Sequence, residues 1–176
     1  MSRTRTITID LSVASCQAAL AEINAYRQWL NRKLDLICKK LAEFGLKRAE
    51  VYFAGALYDG IKDGTLSIDK IHNGYALRAK GSTVAFLEFG AGVHYPNNHP
   101  KAGELGISHG TYGRGLGAND YWFYTGQPGN AGGELAYGPT NSTITHGNPA
   151  NMPMYNSARD MRGEIIRIAT EVFNQP

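Results

Sequence analysis

Apolar residues recur at Leu20, Ile23, Leu30, Leu34, Ile37, Leu41 and Phe44, three or four positions apart, with Tyr26 or Arg27 filling the one irregular step. Spacing of this kind, held for about six turns, marks one face of an α-helix. The opposite face carries Glu22, Arg32, Lys33, Lys39, Lys40 and Glu43. Ser12 or Ser15 is placed to cap the start, and Gly45 is expected to end the helix as a C-terminal cap. A single apolar stripe of this length must lie on something equally long. A sheet face or a neighbouring subunit's helix would both serve.

The helix also fixes the fate of the two cysteines. Cys16 and Cys38 fall on it, and their separation of about 33 Å prevents them from pairing or sharing a metal ion within one chain. They are expected to be buried or half-buried thiols in a reducing cytoplasm. The basic start, Met1-Ser2-Arg3-Thr4-Arg5, is followed by no apolar signal core.

Around the helix the sequence reads as small strands. Thr4 to Leu11 alternates like an edge strand, and Ala49 to Tyr58 is β-prone and bounded by Asp59-Gly60. Thr65 to Asn73 and Tyr75 to Lys80 flank Asn73-Gly74, a hairpin turn signal. Val84 to Phe89 is an apolar run, expected as the innermost strand of a meander of about four antiparallel strands. Glu88 is its polar exception and needs a donor: the N–H groups of the Gly90-Ala91-Gly92 turn, or a basic residue. Pro153 suits the first turn of a last helix. Met161, Ile165, Ile168 and Val172 form its stripe, Phe173 extends it, and Gly163 weakens it by about 1 kcal/mol relative to alanine. The fold class is α+β, a long N-terminal helix and a C-terminal helix on a small antiparallel sheet.

Residues 90–145 stand apart. Between Gly90 and Ala150 fall 14 of the chain's 21 glycines and 5 of its 7 prolines. Tyr112, Tyr121, Trp122, Phe123, Tyr124 and Tyr137 are too many large aromatics for a solvated linker. The stretch is expected to be an ordered lobe, inserted in a single domain of 176 residues whose core is 4–89 and 146–174. Within it, Tyr121-Trp122-Phe123-Tyr124 is either a local core or an interface anchor.

Several chemistries find little support. The net charge is only +3, and the lobe sets Lys101 and Arg114 against Glu104, Asp120 and Glu134, so sequence-specific nucleic-acid binding is not expected. No apolar run approaches the roughly 20 residues that span a bilayer. Gly110 to Gly117 matches neither nucleotide-binding fingerprint, and no Gly-x-Ser-x-Gly elbow is present. His94 and His99 have a spacing seen in zinc sites, with His109 and His146 in the same lobe. No cysteine or close carboxylate pair completes that set. Turn histidines bonded to backbone are the commoner case, so no metal is expected.

Phe86-Leu87-Glu88-Phe89-Gly90-Ala91-Gly92, followed by a loop and then Asn148-Pro149-Ala150-Asn151-Met152-Pro153-Met154-Tyr155 and an amphipathic helix, resembles a family of small proteins of long-tailed bacteriophages and prophages. These are the minor tail components, also called tail-completion or head–tail joining (neck) proteins. Their strand resembles Glu-Phe-Gly-Thr-Gly, and here Ala91 replaces the threonine. Gly106 to Gly113 and His146-Gly147-Asn148-Pro149 look like a subgroup with a larger insertion. The resemblance implies a non-enzymatic structural protein of the virion, assembled in the host cytoplasm and placed at the head–tail junction. It implies a homo-oligomeric ring, with other neck, connector or tail-tube proteins as partners, and no cofactor. The alternative from the residues alone is a host-surface or carbohydrate-binding module using the aromatic lobe. A metal-dependent hydrolase on His94, His99, His109 and His146 ranks third.

Overall fold

The computed structural model describes residues 6–10, 12–92, 94–95, 98–107, 120–136 and 141–175. Its frame is helix α1, Val13–Gly55, 43 residues long and about 65 Å from end to end. Ser12 caps it, its hydroxyl accepting from the Ser15 N–H at 3.2 Å. At the other end the Lys62 ammonium donates to the carbonyls of Ala54 and Ala56 at 3.0 and 2.5 Å, neutralising the exposed C-terminal acceptors.

Hairpin strands β1, Thr65–Ile71, and β2, Gly74–Lys80, form a two-stranded antiparallel sheet through the Asn73-Gly74 turn. The hairpin lies along α1. Leu66, Leu77 and Ala79 pack on Ala49, Phe53 and Ala56, and the Tyr75 hydroxyl reaches Asp35. Helix α2, Val84–Phe89, follows. Within the lobe, β3 (Trp122–Thr125), β4 (Glu134–Leu135) and β5 (Ser142–Thr145) form a three-stranded antiparallel sheet in the order β3-β5-β4. Helix α3, Pro153–Asn174, closes the chain and runs antiparallel to α1. Ile37 packs there with Ile168 and Val172, flanked by Leu41 and Phe44.

The architecture is the expected α+β, with several local departures. Gly45 does not end α1; the helix runs on through Gly55. Gly45 is instead where α3 crosses closest, since a Cβ there would run into the Met161 side chain. Ser157, fully buried, donates to the Gly45 carbonyl at 2.6 Å. The β-prone stretch after Ala49 is therefore helical to Gly55, because packing overrides propensity. Phe53 meets Leu87, and Tyr52 shares the Asp160 carboxylate with Arg48.

Val84 to Phe89 is likewise a helix. Leu87 and Glu88 are adjacent and both buried, which a half-buried strand would not allow. Asp63 sets its start by accepting from the N–H and hydroxyl groups of Ser82 and Thr83. Residues 6–10 form no strand; Asp10 accepts from the Ser12 N–H and so supports the cap of α1. The four-strand meander is thus one hairpin, and the second sheet lies in the lobe. Cys16 and Cys38 are free but exposed rather than buried. On α3, Ile168 and Val172 are buried, whereas Ile165 and Phe173 are 42% and 40% exposed.

Candidate functional site

Three features meet where the lobe joins the core. The first is a buried polar node. The Glu88 carboxylate accepts from the N–H groups of Met154 and Tyr155 at 2.8 and 2.9 Å. These are orphan donors in the first turn of α3. The residue before that helix, Met152, is left-handed at φ 56° and supplies no side-chain cap. Glu88 is thus a cap delivered from another element, of the charge that a helix N-terminus attracts. The donors are backbone N–H groups, as expected, but of α3 rather than of the glycine turn.

His99 completes the node. Its Nδ1 accepts from the Lys101 N–H at 3.1 Å, which leaves the ring proton on Nε2, facing Glu88 Oε1 at 3.2 Å. The ring is buried between Phe89 and Tyr155. His99 therefore belongs to the core and is not part of the His94–His146 grouping described below.

The second feature is a cleft of about 730 Å³ between the lobe and the segment that follows α1. Tyr58, Ile61, Phe86, Trp122, Tyr124 and Gln127 are among its lining residues. Its floor is tied by polar contacts. Buried Asp59 accepts from the Ala131 N–H and the Thr145 hydroxyl at 3.1 and 2.9 Å. Asn130 pairs with Tyr58 in both directions, and Asn151 does the same with Leu57. Gly129 and Gly133 let the lobe come this close, since a Cβ at either would strike Tyr58 or Asp59. Burial, helped by the nearby Asp63 carboxylate, holds the Tyr58 phenol above its ordinary pKa.

The strand period divides the aromatic run between two roles. Trp122 and Tyr124 turn into the cleft, while Tyr121 and Phe123 point outward, 42% and 56% exposed. The run is therefore split: alternate residues line the cleft, and the other two are open to solvent.

The third feature is a cluster at the cleft's rim: His94, Asp120 and His146. One ligand-type atom of each lies within 4.8 Å of those of the other two. The two imidazole centroids are 5.2 Å apart. The sequence singled out both histidines but treated Asp120 only as one of the lobe's charges. Nothing in the spacing 94, 120, 146 announces a cluster; backbone pairing assembles it. His109, and the glycine-rich stretch 110–117, lie outside the described residues.

Among the described residues no helix is long and apolar enough to cross a membrane. Comparison with protein-family models, with curated proteins and with solved structures finds no match to this chain.

Proposed function

We propose that this protein is a structural component of the phage virion, of the neck or tail-completion type, acting by self-association and by docking on other neck, connector or tail-tube proteins. The observation that carries the reading is the first part of α1. Among the described residues, the contacts of α3 nearest the start of α1 are those with Lys33 and Trp29. The preceding Val13 to Gln28, about 24 Å of helix, buries only Ala19. Val13, Leu20, Ile23 and Tyr26 are 75%, 58%, 50% and 50% exposed. Leu20, Ile23 and Tyr26 belong to the stripe that, further on, includes Ile37, which packs against α3. Neighbouring exposed apolar residues on a helix support an interaction site there. A second copy of the chain is the occupant that repeats the helix-on-helix packing already used by α1 and α3.

The resemblance supports the same reading. Its two motif segments, Phe86–Gly92 and Asn148–Tyr155, are distant in sequence but form one unit, joined by the Ala91–Asn148 backbone bridge and by Glu88 at the start of α3. An early stop codon in this gene, in an inducible phage or prophage, tests the proposal by electron microscopy of the lysate. Filled heads beside separate tails, or tails of abnormal length, are expected. Normal infectious particles would contradict it.

The aromatic cleft favours a second reading, a carbohydrate- or host-surface-binding module. Its volume and mixed lining fit a small polar ligand. Micromolar binding on a glycan array, lost in Trp122→Ala, together with normal particles from the stop-codon phage, would put this reading first.

A further inference from the structure

We infer that His94, Asp120 and His146 form a binding site for a divalent transition-metal ion of the zinc class, which clips the lobe to the core. The inference rests on chain geometry and stands apart from the virion reading.

Backbone pairing brings the three residues together. The Ala91–Asn148 bridge lays the segment after α2 beside the segment after β5. The β3–β5 register sets Trp122 opposite Thr145, which carries Asp120 and Tyr121 alongside His146. Gly92 and Gly147 allow these segments to close, because a Cβ at either would meet backbone of the other segment or the Trp122 ring. The three side chains thus come from three separate segments and converge at one point.

The chemistry of the group fits a metal better than it fits an ion pair. His146 Nδ1 is 3.2 Å from the Asp120 carbonyl oxygen but 3.9 Å from its carboxylate. Donation to the carbonyl leaves the lone pair on Nε2, the arrangement typical of metal-bound histidines, whose other ring nitrogen donates to a backbone carbonyl or carboxylate. The contacts of His94 with Tyr95 and His146 are ring to ring. Two imidazoles and one carboxylate suit zinc, cobalt or nickel, and are poor in the oxygen ligands that magnesium or calcium require. Tetrahedral zinc holds its ligand atoms about 3.3 Å apart. The present spacing, within 4.8 Å for one ring nitrogen of each histidine and a carboxylate oxygen, is wider, and binding would draw the three side chains together. Three protein ligands among the described residues leave a fourth position for water or for another group.

The test uses the full untagged chain, stripped with chelator and titrated with Zn²⁺ by calorimetry and with Co²⁺ by visible absorption. One equivalent of either ion per chain is expected, with a rise in thermal midpoint as Zn²⁺ is added. His94→Ala, His146→Ala and Asp120→Asn should each lose the stoichiometric binding and the midpoint rise. His72→Ala, at an exposed histidine of the hairpin turn, should keep both. Circular dichroism and the midpoint in chelator, matching the parent, confirm that the variants are folded. Absence of binding to the parent chain overturns the inference. So does binding of undiminished stoichiometry and affinity in the His94 and His146 variants.

Discussion

Glu88 and Lys33 hold opposite ends of α3, each with the sign of charge that its end attracts. Glu88 accepts from the first-turn N–H groups of Met154 and Tyr155. Lys33, itself buried, donates to the carbonyls of Val172 and Gln175 at 3.0 and 2.9 Å, with its ammonium 5.8 Å from the Trp29 ring. Neither residue belongs to the helix it caps. Together they fix where α3 sits along α1 as well as how strongly its ends are held. Glu88→Ala strands two donors in a buried site and should lower unfolding free energy by about 2–3 kcal/mol. Lys33→Met, which keeps the stem, should cost about 1–2 kcal/mol. Urea unfolding of each variant measures both.

Acid should weaken the fold through identifiable carboxylates. The hydroxyl of Thr83, then that of Ser82 and the backbone of both, hold Asp63 well below the usual carboxylate pKa. Asp160 is lowered by the Tyr52 hydroxyl and then by Arg48, and Glu171 by Lys40. In each case the folded chain favours the ionised form. Their stabilisation is therefore complete above the unfolded-state values near pH 4 and is lost as pH falls toward the depressed ones. Thermal midpoints measured downward from pH 6 should drop below about pH 4. Asp63→Asn should lower the midpoint at neutral pH and make the acid drop shallower.

Gly147 and Gly129 are the two tightest glycines of the join between lobe and core, and only Gly147 of the pair has a positive φ. Gly147 has φ 94°, and a Cβ there would run into the Ala91 carbonyl. Gly147→Ala combines backbone strain with a clash that no side-chain rotation relieves, and should cost about 1–3 kcal/mol. Gly103 has open space around it. Gly103→Ala should fall within about 0.5 kcal/mol of the parent. Equal stability of the two variants would show that the join carries no strain.

These residues also mark what the sequence made legible. The start of α1 at Ser12, the Asn73-Gly74 hairpin and Pro153 in the first turn of α3 depend on local chemistry, and each stands where local rules put it. The extent of α1 beyond Gly45 does not, because it depends on Ser157 and Met161 arriving from the far end of the chain. The six-residue run Val84–Phe89 is too short for periodicity to separate strand from helix. Its state is decided by Asp63, some twenty positions earlier. The same holds for the candidate site. His94 and His146 were visible as residue types, but Asp120 joins them only through the β3–β5 register, and His99 leaves them because Glu88 and Tyr155 enclose it.

Self-association through the first part of α1 is the central claim, and sedimentation velocity over a range of concentrations tests it most directly. The parent chain should sediment as a closed oligomer. Leu20→Glu with Ile23→Glu should sediment as a monomer, with stability within about 0.5 kcal/mol per site of the parent, because both positions are exposed in the isolated chain. A parent chain that remains monomeric at every concentration, or a double variant that assembles as the parent does, would contradict the account.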